Sequence, residues 1–205
     1  MTTIERALHV LIHDVRTPLG VAQGYLRLLH EGRLTTPEAA ARAITQVQQA
    51  LDRVATLCDD AATLADRIAA PAGRRVVVPC HRFVASVRDR LSGEPVDVGV
   101  PDDSRSLEVP GDTDELAAAV ARVLLARRPK GPGRAVAVGT TANELWFTSG
   151  MDEPALSGAE LDCWRGGGFA LPLACQTIAG AGGRVWAAGA AGHGAGVALP
   201  IEVVR

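Results

Sequence analysis

The chain has 205 residues, of which 47% are hydrophobic and 21% charged, and 21 Lys and Arg stand against 23 Asp and Glu for a formal net charge of -2. These proportions are typical of a soluble globular protein of one or two domains. Because the basic residues form no cluster, the sequence argues against binding to nucleic acid or to an anionic membrane surface. No apolar run approaches the ~20 residues of a membrane helix, and Glu5 stands where a signal peptide carries positive charge, so we expect a cytoplasmic protein.

Apolar residues in the first thirty positions recur at alternating steps of four and three, which predicts one long helix with a coiled-coil-like seam. His13 falls at the heptad position farthest from this seam, and we expect it to project into solvent. A second apolar stripe widens the same face. The seam comprises Ile4, Leu8, Leu11, Val15, Pro18, Ala22, Tyr25 and Leu29, and the second stripe comprises Ile12, Leu19 and Leu26.

Gly32 interrupts this pattern, and a second helix is predicted to begin within Thr35–Glu38. Either Thr36 caps the helix with Pro37 at its first position, or Thr35 caps it with Glu38 closing a capping box, and the sequence leaves both open. The two helices, each of roughly 30 residues and about 45 Å long, predict an antiparallel hairpin. The second seam runs through Ala40, Ile44, Val47, Leu51, Val54, Cys58, Ala61, Ala65 and Ile68.

Both helices carry apolar stripes that are too wide for one hairpin to bury. Two hairpins packed as a four-helix bundle would cover them, and a twofold dimer is the commonest symmetry for such self-association. We therefore expect a homodimer. The sequence does not indicate which helix of one protomer lies beside which helix of the other.

The pattern changes near Ala70–Gly73, which divides the chain into a hairpin domain of residues 1–70 and a second domain of residues 71–205. Helices alternate with mostly antiparallel strands in the second domain. The sequence therefore predicts an α+β fold, in which the helical hairpin is followed by a two-layer α/β sandwich with helices on one face of its sheet. The predicted strands are Arg75–Val78, Val96–Val100, Ser106–Val109, Ala135–Thr140 and Glu144–Thr148, the predicted helices are Cys80–Leu91, Asp112–Arg128 and Phe169–Ile178, and Gly183–Ala188 forms a closing hairpin with Gly196–Val203.

The four cysteines, Cys58, Cys80, Cys163 and Cys175, are far apart and include no C-x-x-C pair. They indicate neither a zinc site nor a thioredoxin-type redox motif. We expect buried free thiols, and we identify no metal site in the sequence.

His13 is distinguished by its neighbours on the predicted helix. Asp14 follows it directly, Thr17 lies one turn later on nearly the same face, and Gly20 lies two turns later without a side chain to obstruct a partner. Pro18 removes the usual i+4 donor of the Asp14 carbonyl, which predicts a bend. A neutral imidazole can attack a phosphoryl group if the proton on its other nitrogen is held, and Asp14 could hold it. Alternatively, Asp14 is only a solvated charge on the helix surface.

The segment Leu11–Leu19, which reads L-I-H-D-V-R-T-P-L, resembles the H-box of sensor histidine kinases, H-[ED]-x-R-T-P-L. The resemblance extends to the whole chain, because a helical hairpin for dimerisation and phosphoacceptance followed by a small α/β sandwich is similar to the kinase core without a sensor domain. It implies that His13 is the phosphoacceptor and Asp14 its acid/base neighbour. Thr17 would be the residue that in some of these proteins helps to position water for dephosphorylating a partner.

The second domain of such kinases binds ATP, and here the sequence departs from the family pattern. The predicted helix resembles the segment that carries the N-box, yet Arg122 and Ala126 stand where its two asparagines would fall. Those asparagines hold Mg²⁺ against the phosphates, and a methyl group cannot ligate a cation that demands oxygen. After Leu145–Thr148 the family's D-x-G-x-G is missing, and Asp152 is at most a displaced remnant.

The run Gly166–Leu171 resembles the second glycine box of the family before a helix. Gly166 and Gly168 are therefore weak candidates for cradling a phosphate through backbone N–H groups at a helix N-terminus. A flexible strand-to-helix connection explains the run as well, because Ala170 replaces a family glycine and Pro172 lies in the first turn of the predicted helix.

The resemblance implies three candidate functions in two-component signal transduction. The first is a dimeric histidine phosphotransferase of a phosphorelay, which passes a phosphoryl group through His13 between receiver-domain aspartates without ATP, each receiver bringing its own Mg²⁺. The second is an active kinase core with an atypical ATP site, and the third is a non-enzymatic module that binds response regulators or kinases. An intact H-box beside degenerate ATP-site motifs favours the first. We expect the receiver to contact the hairpin around His13, near Gly20, Gln23 and Tyr25.

Overall fold

The computed structural model of the chain describes residues 3–69, 77–91, 96–98, 107–126, 136–149, 158–164, 168–188 and 194–203. Two compact units emerge, one comprising Met1–Asp66 with Gly166–Phe169 and the other Arg67–Arg165 with Ala170–Arg205. The domain boundary expected at residues 70–73 lies outside the described residues and stays a prediction. Within the described ranges, no helix has both the length and the apolar character needed to cross a membrane.

Two long helices, α1 (Thr3–His30) and α2 (Pro37–Ala69), form the first unit. After α1 the chain turns at Gly32, whose φ of 63° lies in the left-handed region that favours glycine. The hydroxyl of Thr36 then accepts a hydrogen bond of 3.2 Å from the N–H of Ala39 in the first turn of α2. Of the two caps that the sequence left open, the structure therefore selects Thr36.

The buried face of α2 differs from the seam that the sequence predicted. Val47 is buried as expected, but Ile44, Leu51 and Cys58 of the predicted seam are exposed. Steps of four and three leave two neighbouring apolar stripes on this helix. The buried stripe passes through Ala43, one residue before Ile44 of the predicted seam. The buried residues of the hairpin are Pro18 and Ala22 of α1 and Ala43, Val47, Ala50, Leu57 and Leu64 of α2.

The second stripe of each helix remains uncovered in a single chain. In α1, Ile4 and Leu8 of the predicted seam are exposed, as are the residues of the predicted second stripe. We call this set the exposed apolar stripe. It comprises Ile4, Leu8, Ile12, Leu19 and Leu26 of α1 together with Ile44 and Leu51 of α2.

The second unit is an α/β sandwich, as the sequence predicted. Its six-stranded sheet has the order β2-β4-β5-β8-β7-β6, in which β2 and β4 are parallel and the other neighbours antiparallel. A three-stranded antiparallel sheet has the order β1-β3-β9. The helices are α3 (Cys80–Arg90), α4 (Thr113–Ala126) and α5 (Ala170–Gly180), and the strands are β1 (Val77–Pro79), β2 (Val96–Val98), β3 (Leu107–Pro110), β4 (Val136–Thr140), β5 (Glu144–Thr148), β6 (Ala159–Glu160), β7 (Arg184–Ala188), β8 (Gly194–Pro200) and β9 (Glu202–Val203).

One hydrophobic core joins the three helices of the sandwich to its strands. Leu145 and Phe147 of β5 and Leu199 of β8 are fully buried there, and the rings of Phe83 and Phe147 meet edge to face with centroids 6.2 Å apart. The Asp112 carboxylate caps α4 by accepting the N–H groups of its first turn at 3.1 Å. This core holds α4 and α5 in fixed positions against the sheet.

Two details of the sandwich differ from the prediction. The predicted closing hairpin forms between β7 and β8, but its final residues leave that sheet and pair with β3 as strand β9. Pro200 ends β8 because proline lacks the N–H that the ladder requires. The three-stranded sheet was not predicted, and neither was β6, which lies in a segment interpreted as a loop.

The expectation of buried free thiols holds only in part. Cys163 and Cys175 form a disulfide, whereas Cys80 is a buried free thiol and Cys58 is free and exposed. Cys163 and Cys175 are 12 residues apart in the sequence, which is not the spacing of a known cysteine motif. Their pairing depends on how the chain folds between β6 and α5.

Candidate functional site

His13 lies on the surface of α1, with 77% of its side chain exposed. The exposure agrees with the position expected from the heptad pattern, opposite the apolar face of the helix. Its Nδ1 atom lies 2.9 Å from Oδ1 of Asp14. The ring is thus open to a partner while one of its nitrogens is held.

Both oxygens of the Asp14 carboxylate accept hydrogen bonds. Oδ1 contacts His13, and Oδ2 accepts the backbone N–H of Gly168 at 2.6 Å. The pKa of Asp14 is lowered from its ordinary value of 3.8, mainly by the hydrogen bond with His13; partial burial opposes this, while the Gly168 bond and the charge of Arg53 add to it. Asp14 is therefore a carboxylate at neutral pH and not merely a solvated surface charge.

This arrangement determines which nitrogen of His13 is free to react. An ionised carboxylate can only accept hydrogen bonds, so the proton in the contact belongs to Nδ1. In the neutral imidazole the other nitrogen, Nε2, then carries the lone pair. The arrangement therefore leaves the lone pair on Nε2, and the carboxylate beside Nδ1 can balance a positive charge on the ring.

The neighbours that the sequence singled out lie around this pair. α1 continues through Pro18 as one helix, and Pro18 is buried while Thr17 is exposed. A side chain at Gly20 would meet no atom within 4 Å, so the approach along this face is open. Tyr25 packs, partly buried, against the hairpin cluster that contains Ala22, and its expected contact with a receiver stays a prediction.

A cleft of about 490 Å³ borders the site within the first unit. Three polar side chains of α2, those of Gln46, Gln49 and Arg53, line it, and none of the three was predicted from the sequence. Their spacing by three and four residues indicates that they share one face of α2. The sequence alone does not show that this face lies near His13, because the face of α2 that packs against α1 was not known. The lining residues are Asp14, Thr17, Pro18, Val21, Gln46, Gln49, Ala50, Arg53, Leu57 and Gly168.

The residues that stand in place of the two N-box asparagines belong to the second unit. Arg122 and Ala126 are exposed on α4, in the second unit. Gly168 has a φ of 72° just before α5, a conformation that favours glycine. Asp152 and Gly166 lie outside the described residues. Among the residues that the structure describes, no group of three or more His, Cys, Asp or Glu is placed to hold a metal ion.

The hairpin matches a known domain family. Residues 3–69 match the His Kinase A (phospho-acceptor) domain. The match runs from the first residue of α1 to the last of α2. The phospho-acceptor match therefore covers the hairpin that carries His13, Asp14 and Thr17.

Solved structures extend the likeness to the fold of the whole chain. The Acinetobacter baumannii histidine kinase AdeS matches with a TM-score of 0.60 at 15% sequence identity, over 94% of this chain and 98% of that one. Full-length ShkA in complex with AMPPNP matches with a TM-score of 0.54 at 18% identity, over all of this chain and 47% of that one, so the chain spans about half the length of ShkA. A comparison with curated proteins gives no match. The chain thus has the fold of these histidine kinase structures, a helical hairpin followed by an α/β sandwich.

Proposed function

We propose that this chain is a histidine phosphotransferase of two-component signalling, which accepts a phosphoryl group on His13 from a receiver-domain aspartate and passes it to another receiver without ATP. The observation that carries the proposal is the exposed imidazole of His13, whose Nδ1 is bonded at 2.9 Å to a carboxylate of lowered pKa. The match of residues 3–69 to a phospho-acceptor domain supports it.

The transfer requires one nucleophile, His13, and no proton acceptor other than Asp14. Nε2 of His13 attacks the phosphorus atom of the receiver's aspartyl phosphate, an N–P bond forms, and the P–O bond to the aspartate breaks as the carboxylate leaves. The proton on Nδ1 stays in its bond to Asp14, which balances the charge on the phosphorylated ring. Both phosphorylated species are high in energy, so catalysis consists mainly of positioning. The receiver supplies the Mg²⁺ that neutralises the phosphoryl oxygens.

The residues in place of the N-box are the reason to propose transfer without ATP. An Mg²⁺ ion at ATP phosphates needs oxygen ligands, which the methyl group of Ala126 cannot provide. The guanidinium of Arg122 brings a positive charge where a cation would bind. The sandwich is therefore proposed to serve as a structural domain with no resident cofactor.

The exposed apolar stripe supports a homodimer. Its five residues of α1 and two of α2 remain in water in a single chain, with exposed fractions from 37% to 56%. An uncovered patch of this kind marks an interaction surface. A second hairpin packed on it would complete a four-helix bundle and leave His13, on the opposite side of α1, available to a receiver.

The second candidate function is an ATP-dependent histidine kinase. It is favoured by the fold likeness to ShkA, whose structure was solved with AMPPNP. A kinase would phosphorylate the same nitrogen of His13, and the two functions differ only in the phosphoryl donor.

A paired labelling experiment separates the candidates. The purified chain is incubated with radiolabelled ATP and Mg²⁺ alone, and separately with a panel of radiolabelled, phosphorylated receiver domains. The phosphotransferase predicts label only from a receiver, whereas label from ATP alone makes the protein a kinase. Label from neither source supports a non-enzymatic binding module and contradicts the proposal. His13→Gln should remove the label, and His9→Gln, which alters another exposed histidine of α1, should keep it.

A further inference from the structure

Three arginines lie on the side of the hairpin that presents His13. Arg16 and Arg27 are exposed on α1, and Arg53 is exposed on α2, where it lines the cleft beside Asp14. Among the residues that the structure describes, none of these arginines forms an ion pair. We call Arg16, Arg27 and Arg53 the basic rim, and its charges are available to a partner.

The outer face of α1 joins His13 to two of these charges. At about 100° per residue, the sector of α1 within about 60° of His13 contains neither of the two acidic residues of this helix. A side chain at Gly20 or Gly24 would meet no atom within 4 Å, so no described residue covers the sector there. From His13 to Arg27 the sector is about 21 Å long, which fits the face of a small globular domain rather than a single small anion. Its residues after His13 include Arg16, Gly20, Gly24 and Arg27.

The outer face of α2 carries the opposite charge. Asp52, Asp59 and Asp66 recur every seven residues, and all three are exposed. Each stands two positions after a buried residue of α2, which places it about 200° around the helix axis from the contact with α1. The hairpin therefore separates its charges, with unpaired arginines on the His13 side and carboxylates on the outer face of α2. An anionic partner is attracted to the first surface and repelled from the second.

The phosphoryl donor proposed for His13 is an anion of this kind. An aspartyl phosphate is negatively charged, and the Mg²⁺ beside it is held by oxygen ligands, among them carboxylates. Guanidinium groups bind both phosphate and carboxylate oxygens. Opposite potentials on two surfaces steer their encounter and raise the association rate roughly tenfold or more, an effect that salt removes.

We infer that the basic rim is an electrostatic docking surface for a receiver domain whose surface around the phosphorylated aspartate is acidic. The carboxylates on the outer face of α2 keep the same receiver off the other side of the hairpin. The three arginines take no part in bond formation and only raise the rate at which the aspartyl phosphate reaches His13. The inference rests on the proposed function for the identity of the partner.

The test measures association and transfer separately, on the complete chain and a panel of dye-labelled, phosphorylated receiver domains. Stopped-flow fluorescence gives the association rate constant, and rapid-quench labelling gives the rate of transfer to His13. At about 0.01 M salt, where the Debye length is about 30 Å, the triple variant Arg16→Gln, Arg27→Gln, Arg53→Gln should associate roughly tenfold more slowly than wild type. At about 1 M salt, where the Debye length is about 3 Å, the two chains should associate at the same rate.

Two matched variants show whether charge and its position are responsible. The triple variant Arg16→Lys, Arg27→Lys, Arg53→Lys keeps the charges and should retain most of the association rate. The double variant Asp52→Asn, Asp59→Asn alters the outer face of α2 and should not lower that rate. Equal association of wild type and the glutamine variant at low salt, or a loss that high salt does not remove, would overturn the inference.

Failure of the docking surface and failure of the proposed function give different results. Transfer to His13 that is equally fast in wild type and the glutamine variant, at limiting receiver and low salt, keeps the phosphotransferase and overturns the docking surface. Association that depends on salt and on the arginines, without label on His13, keeps the docking surface and removes the phosphotransferase. A panel in which no receiver associates overturns both. Binding of a double-stranded DNA oligonucleotide through the same arginines, without binding of any receiver, would assign the surface to nucleic acid and overturn the inference.

Discussion

The hairpin and the sandwich treat their large apolar side chains in opposite ways. In the sandwich, Leu145, Phe147 and Leu199 are completely enclosed by one core. In the hairpin, the buried residues are three alanines, one proline, one valine and two leucines, and the exposed apolar stripe remains in water. The sandwich is thus stabilised within one chain, whereas the hairpin keeps an apolar surface that contacts with other molecules would cover.

The residues expected to carry the chemistry are therefore different from those that stabilise the fold. Of the candidate site, His13 is exposed and Asp14 is only partly buried, so changing them should alter phosphoryl transfer without unfolding the chain. Changing core residues of the sandwich should instead lower the free energy of unfolding. Four substitutions test this division.

The largest effect on stability is expected from Leu199→Ala in β8. Leu199 is fully buried, and shortening a buried leucine costs about 2–5 kcal/mol through lost burial and a cavity. Leu125→Ala on α4 is the matched control, because Leu125 is 45% exposed and should change stability by less than about 0.5 kcal/mol. Denaturant unfolding measures both. Equal costs for the two variants would mean that the sandwich core is not the main source of its stability.

The next effect is expected on assembly. Leu26→Glu places a charge in the exposed apolar stripe, where burial against a second hairpin is costly, and should raise the dimer dissociation constant roughly a hundredfold or more. Light scattering should then report 21.3 kDa rather than twice that mass. Thr45→Glu adds the same charge to an exposed position about 100° around α2 from Ile44 and should leave the dimer intact. A wild-type chain that is monomeric at micromolar concentration would contradict the proposed dimer.

A smaller effect is expected from Asp14→Asn. An amide keeps the shape but not the charge that holds the Nδ1 proton, and losing a charged hydrogen bond costs about 1.5–3 kcal/mol, or roughly 10–100-fold in the rate of phosphoryl transfer. Rapid-quench labelling from a phosphorylated receiver measures that rate. Asp59→Asn, which neutralises an exposed carboxylate on α2, should transfer at the wild-type rate. An unchanged rate in Asp14→Asn would remove Asp14 from the mechanism.

The smallest effect is expected from Glu144→Gln on the sandwich surface. Arg184 donates two hydrogen bonds to Glu144, at 3.1 and 2.8 Å, and these lower the pKa of Glu144 from its ordinary 4.5. Because the folded-state pKa is lowered, the pair stabilises the fold above pH 4.5, and that contribution is lost as the pH falls through the lowered value. Both side chains are about one-third or more exposed, so the cost at neutral pH should be at most about 1 kcal/mol. The difference in unfolding free energy between wild type and Glu144→Gln should therefore be larger at pH 7 than at pH 3.

Several features of the molecule were predictable because they depend on local sequence. The period of apolar residues fixed the two helices of the hairpin, and the position of His13 in that period predicted its exposure. The neighbouring Asp14 could be named as a candidate acceptor because a carboxylate directly follows His13 in the sequence. The order of helices and strands likewise led to the sandwich fold.

Other features depend on how distant segments meet, and the sequence could not supply them. The choice between two stripes on α2 is decided by packing against α1, so the buried face at Ala43 and the polar residue Arg53 beside the site were missed. The pairing of Cys163 with Cys175 depends on the turn before α5. The strand β9 depends on a partner strand more than ninety residues earlier in the chain.

The central claim is that Nε2 of His13 accepts the phosphoryl group because Asp14 holds the proton on Nδ1. The most direct test is to phosphorylate the chain from a phosphorylated receiver and to determine by mass spectrometry and ³¹P NMR which residue and which ring nitrogen carry the phosphorus. The account predicts phosphohistidine at His13 with phosphorus on Nε2. Phosphorus on Nδ1, or on a residue other than His13, would contradict it.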